Sequence, residues 1–369
     1  MSELKTLTTN WEAFCDSIKA TGVSVLESAE TADSFERGEG LRYLTRLLKV
    51  SINRFVEYAD VETPELFAVC DNRSGFGGDN PDNLYSSCLI RDTSCYRVVA
   101  ERGSIWQFAF TVFRTGPGSE KVLLARLDQD DIALDKEGRF VLYVGGPERA
   151  TNWLPLGDGA NQLHLRQTFR DRKTEQPLVA KVEQLDTTAA APRTSDREMS
   201  ARLASAEQFY GKTARLMAGW SKNFSDTAVN VLPPVSKEFV ASVGGDPSAH
   251  FFIAAWKLEP GEVLRVHIPH YANLRLWNFA LYNYWLESLD YENYVVHTNS
   301  EICTLNPDGS ATLFIGGESP NHSSNILDTT GHHRGHMMLR VWSDDAPLQP
   351  TVERITGTGI ITHRSDNNG

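Results

Sequence analysis

DKEGRFVLYVGG, residues 135–146, and NPDGSATLFIGG, residues 306–317, follow one plan. Each opens on a turn, EG or DG, whose glycine (Gly138 or Gly309) can take positive φ. Each continues as a short run rich in β-branched and aromatic residues, which reads as a strand, and each closes on GG. Three more blocks recur in the same order. GGDNPDNLYSSCLIRDTSCYRVV (77–99) meets GGDPSAHFFIAAWKLEPGEVLRVH (244–267). SIWQFAF (104–110) meets LRLWNFAL (274–281), which sets Trp106 opposite Trp277. NWLPLGDGANQLHLRQTF (152–169) meets NILDTTGHHRGHMMLRVW (325–342). The offset drifts only from 167 to 174 residues, so the chain reads as a duplication.

Short strands at this spacing, with few helices between them, predict a mainly β chain with flanking helices, built as two tandem jelly-roll-like antiparallel β-sandwich repeats. Amphipathic helical patterns precede each repeat, over residues 10–60 and 196–222. DTTAAAPRTSDRE (186–198) is small, polar and broken by proline, as a linker is. The expected plan is a helical segment over 1–62, a first sandwich over 63–185 serving as scaffold, the linker, a helical segment over 199–225, a second sandwich over 226–360 carrying the functional site, and a tail over 361–369.

The elements NPDNLY, DGSATLFIGG, NWLPL and the closing HLRQTF and MLRVW strands resemble the bacterial DUF1214 family, a domain of unknown function often found with a partner family, DUF1254. The likeness covers most of 75–180 and 240–355, with NILD in the second half where the first has NWLP. It implies a jelly-roll-like sandwich with flanking helices. It implies no activity and transfers no catalytic residue.

The formal charge is −12 over 369 residues, with no Lys/Arg cluster. Such a chain repels phosphate backbones and anionic bilayers, which argues against nucleic-acid and membrane partners and leaves room only for a localised positive pocket. No apolar run approaches the ~18 residues of a membrane span, and the N-terminus lacks the pattern of a signal peptide. The five cysteines are scattered and form no CxxC pair, as expected in a reducing compartment. A cytoplasmic location follows as the expectation, with a small molecule as partner and self-association into homo-oligomers as the other open partnership. GGDNPDN and GGESPN lack a P-loop lysine, so no nucleotide cofactor is expected.

Duplication supplies an internal control. Arg97 corresponds to Arg265 and Arg166 to Arg340; residues kept in both halves read as architecture, with anion binding as the alternative. Histidine differs. Nine of the ten histidines lie at or after His250. Alternation along HMMLRVW turns His336, Met338, Arg340 and Trp342 one way and Met337, Leu339 and Val341 toward the core. Alternation along VLRVHI likewise pairs Arg265 with His267. If these strands are neighbours, Arg265, His267, His336 and Arg340 form one polar cluster, joined by His270.

Trp277, Tyr284, Trp285, His322 and Asn325 would then line a small-molecule pocket. Three readings stay open. His267, His270, His332, His333 and His336 could hold a divalent metal such as zinc or iron. The histidines could instead perform metal-free acid–base chemistry of a lyase, isomerase or hydrolase type on a small polar or aromatic molecule, with the arginines stabilising charge. Or the repeats bind a small molecule or carbohydrate without turning it over, the histidines being solvated turn residues or interface residues.

Overall fold

A computed structural model describes residues 3–29, 33–116, 121–186, 194–317, 325–344 and 347–356. His322 lies outside them. The chain forms two compact units that are not contiguous in sequence: the first takes residues 1–76, 82–218 and 241–245, the second 77–81, 219–240 and 246–369.

The first unit begins with helices α1 (Glu3–Ser28) and α2 (Ser34–Ile52). A capping box starts α2: Asp33 accepts from the Glu36 backbone N–H, and the Glu36 carboxylate accepts from that of Asp33. The helix then widens into a π turn over Asn53–Glu57. Nine strands follow, β1 (Phe67–Cys70), β2 (Asn83–Leu89), β3 (Tyr96–Glu101), β4 (Gln107–Thr115), β5 (Lys121–Asp128), β6 (Arg139–Val144), β7 (Trp153–Leu154), β8 (Gln162–Thr168) and β9 (Val179–Gln184). They make a five-stranded sheet ordered β1-β2-β8-β4-β5 and a four-stranded sheet ordered β7-β6-β3-β9. The long helix α3 (Asp196–Thr227) begins in this unit and ends in the second.

The second unit continues with β10 (Pro234–Val235), α4 (Lys237–Ser242), β11 (His250–Lys257), β12 (Glu262–Ile268), β13 (Leu274–Tyr282), β14 (His297–Asn299), β15 (Ala311–Ile315), β16 (Ile326–Leu327), β17 (Arg334–Ser343) and β18 (Thr351–Thr356). Its sheets run β10-β11-β17-β13-β14 and β16-β15-β12-β18. Strand for strand this is the topology of the first unit, down to a parallel strand pair in each, β6 with β7 and β15 with β16. The chain is thus two tandem β-sandwiches with flanking helices, as the recurring blocks predict. None of the described helices is long and apolar enough to cross a membrane.

Alternation decides what each sandwich buries. In the first, Phe108, Phe110 and Val112 of β4 and Leu163 and Leu165 of β8 meet Val98, Phe140, Leu142 and Val182 from the four-stranded sheet. In the second, Trp277, Phe279 and Leu281 of β13 and Met337, Leu339 and Val341 of β17 meet Leu264, Val266 and Ile268 of β12. Each large apolar side chain so buried contributes about 1.5–3 kcal/mol. The duplicated asparagines staple corresponding loops: Asn152 exchanges two hydrogen bonds with the Ala133 backbone, and Asn325 does the same with Thr304.

Candidate functional site

The second unit disperses most of the residues that the sequence nominates. The cluster of Arg265, His267, His336 and Arg340 does not form. β12 belongs to the four-stranded sheet and β17 to the five-stranded one. Both strands turn their apolar faces to the shared core, so their polar faces leave the sandwich on opposite sides. Arg265 pairs with Glu353 across β12 and β18, at an exposed site. Its counterpart Arg97 pairs with Glu183 in the same way. His267 is half-buried beside it, and His270 is exposed, its ring lying against the DG turn at Gly309. His332 is buried, with Nδ1 2.7 Å from the Thr329 carbonyl oxygen, while His333 is exposed. Among the described residues no group of three or more His, Cys, Asp or Glu is placed to hold a metal ion, so the five candidate ligands do not converge.

Trp277 is a core residue rather than a pocket wall, because its position on β13 alternates with that of Asn278. Asn325 spends its amide on the Thr304 backbone and the Thr312 carbonyl. Tyr284 does lie beside His336, with ring centroids 6.3 Å apart, and Trp285 packs on Tyr284.

His336 and Arg340 share the outer face of the five-stranded sheet, and that face is itself buried. His336 is fully buried, its two ring nitrogens 3.2 and 3.3 Å from the carbonyl oxygens of Asn283 and Ser221. Burial holds its pKa down to about 4, so the imidazole is neutral. Arg340 donates to Asn278, to the Tyr282 hydroxyl and to the Gly78 carbonyl. Beside it the Asp79 carboxylate accepts from both the N–H and the hydroxyl of Ser288. Burial pushes the Asp79 carboxyl above its ordinary range, against those bonds and the field of Arg340. This is a densely satisfied network around residues 77–81, with the character of a structural clasp.

The first unit holds on its corresponding face a group that the sequence reading passed over. Gln162, His164 and Arg166 alternate with the core leucines of β8. Arg54 reaches the same region from the π turn after α2, donating to Gln162 and Thr115 and lying about 5 Å from the ring centroids of Phe55 and Phe209. Lys121, the first residue of β5, stands 5.5 Å over the Phe113 ring. Arg166 donates to the Gly244 carbonyl and lies over Tyr85.

The electrostatics are one-sided. Burial lowers the Arg54 guanidinium to about 10. Burial first, then the fields of Arg54 and Arg166, lower the Lys121 amine to about 8. Burial, reinforced by Lys121, Arg166 and Arg54, holds His164 well below its ordinary value, and its Nδ1 has no hydrogen-bond partner. No described carboxylate pairs with Arg54, Lys121 or His164. Arg54 and Lys121 line a cavity of about 370 Å³ whose other walls include Phe55, Ile90, Asn161 and Phe209. One signal was legible: QLHLRQT places the single first-half histidine on a face with Arg166, by the same alternation that HMMLRVW displays. Arg54 carried no such signal, because an arginine within an amphipathic helix reads as solvent-facing.

The sequence profile of a family described as "Protein of unknown function (DUF1214)" matches residues 257–346. Over its length the chain is similar to an uncharacterised protein from Burkholderia cenocepacia of known crystal structure: 31% identity, 95% of this chain and 98% of that one covered, TM-score 0.90. The structure of the VPA0106 protein from Vibrio parahaemolyticus aligns with 10% identity, over 91% of this chain and 100% of that one, at a TM-score of 0.46. No curated protein matches the chain.

Proposed function

We propose, for a chain that belongs to the DUF1214 family and so inherits a fold without a stated activity, that the first unit is a receptor for a small organic anion. One observation carries the reading. Arg54 and Lys121 wall a cavity with Arg166 behind them, and no described carboxylate balances Arg54 or Lys121. A buried charge left without a counter-charge costs about 3–5 kcal/mol, and an anionic ligand removes that cost on binding. The rest of the wall suits the body of such a ligand. Phe55, Val61, Leu89, Ile90 and Phe209 are apolar, and the volume lies in the ordinary range for small-molecule sites. An acidic chain concentrates positive potential here, the localised positive pocket that its composition leaves room for.

This reading places the site in the first repeat rather than the second and favours small-molecule binding over His-centred chemistry. Titration calorimetry tests it with benzoate, phenyl phosphate and inorganic phosphate against neutral benzamide. Saturable binding of the organic anions, weakened at least tenfold by Arg54→Met, is the expected result. Benzamide binding as well as benzoate, or no heat from any anion, would sink the reading.

A further inference from the structure

The cavity contains a group that binding alone does not require. Lys121 lies at the cavity wall with its aliphatic chain against backbone: a Cβ placed on Gly244 would stand 2.6 Å from Lys121 Cδ and 3.3 Å from Nζ. Gly244 has φ +71°, and its carbonyl accepts from Arg166. Arg166 thus fixes Gly244, and Gly244 limits where the lysine chain can run. The amine is directed over Phe113 and has no carboxylate partner among the described residues.

From this placement we infer that the Lys121 amine forms an imine with a carbonyl-bearing organic anion held in the cavity, the substrate class being oxo acids and carboxylated aldehydes. The inference rests on the anion-receptor reading and extends it from binding to covalent chemistry.

The step balances with one proton drawn from solvent. The Nζ lone pair attacks the carbonyl carbon, and the carbonyl π pair moves to oxygen, which takes a proton. The nitrogen loses a proton, the carbinolamine hydroxyl takes a second proton from solvent and leaves as water as the nitrogen lone pair forms the C=N bond, and a protonated imine remains. The anionic end of the substrate lies toward Arg54, which leaves the carbonyl for the lysine. A lysine desolvated beside other cations is a recognised way to keep an amine nucleophilic near neutral pH. The titratable groups acting on Lys121 are Arg54, Arg166 and Cys70, and their balance with burial keeps a substantial neutral fraction at pH 8.

The test is reductive trapping. Full-length protein is incubated with pyruvate or 4-carboxybenzaldehyde and sodium cyanoborohydride, and adducts are located by peptide mass spectrometry. The expected result is one dominant adduct, on Lys121. Lys121→Arg, which keeps the charge, should abolish it, and excess benzoate should suppress it at least tenfold. In parallel, calorimetry with benzoate reports on the pocket without covalent chemistry. Benzoate binding without a Lys121 adduct would overturn the imine and leave the receptor standing. Adducts spread over surface lysines, with no preference for Lys121, would overturn it equally. Absence of both adduct and benzoate binding would remove both readings.

Discussion

Arg340 donates to the backbone carbonyl of Gly78, a residue 262 positions earlier in the chain. The same guanidinium holds Asn278 and the Tyr282 hydroxyl, and it stabilises the buried Asp79 charge. Arg340→Ala therefore removes three buried charge-assisted hydrogen bonds at once, and we expect a loss of about 3–5 kcal/mol in urea unfolding. Arg340→Lys should recover only part of it, since an ammonium lacks the planar fork that serves three acceptors. A loss below ~1 kcal/mol for Arg340→Ala would show that the clasp does not hold residues 77–81.

Arg265 makes the contrasting case. Its partner Glu353 is 56% exposed and Arg265 itself 46%, so solvent screens the pair. Arg265→Ala should cost no more than about 1 kcal/mol. It should also leave benzoate binding in the first unit unchanged, which calorimetry reads directly.

The buried imidazole sets a pH dependence. His336 titrates at about 4 in the folded chain against an ordinary 6.5. Between those values the unfolded chain binds a proton that the folded chain refuses, so stability falls as pH drops through that window. The contribution is on the order of 3 kcal/mol, gone below pH ~4. His164 acts in the same direction. Unfolding midpoints at pH 7 and pH 4.5 should differ less in His336→Gln than in the natural chain.

Two glycines separate steric from conformational strain. A Cβ on Gly335 would stand 2.1 Å from the Tyr282 carbonyl oxygen, where backbone opposes backbone across β13 and β17. Gly335→Ala should cost about 3 kcal/mol or more. Gly261 has φ +82° but open space around its would-be Cβ, so Gly261→Ala should cost only about 1–2 kcal/mol. Thermal unfolding of the two variants checks the order.

Much of the fold could be read from the recurring blocks, because strand alternation is a local property. Met337, Leu339 and Val341 face the core for the same reason that Leu264 and Val266 do. Local alternation cannot say which strands are neighbours. Arg265 and Arg340 each leave their own apolar face correctly, and they part because β12 and β17 lie in different sheets. Histidine count points to the richer half, although the first half holds His164, buried in the field of Lys121, Arg166 and Arg54. Lys121 and Arg54 are brought to β8 by β5 and by the π turn, contacts that no spacing in the sequence records.

The exchanged segments bear on how the molecule can be divided. Each unit takes residues from the far side of the 186–198 stretch: 77–81 in the second, 199–218 and 241–245 in the first. A gene split there would give two polypeptides that each lack a piece of their own interior, Gly78 for Arg340 and Gly244 for Arg166. Such half-chains should behave as complementing fragments: poorly structured apart, and regaining folded circular dichroism when refolded together. A protease nick within 187–193 of the folded protein should, by contrast, leave both clasps intact.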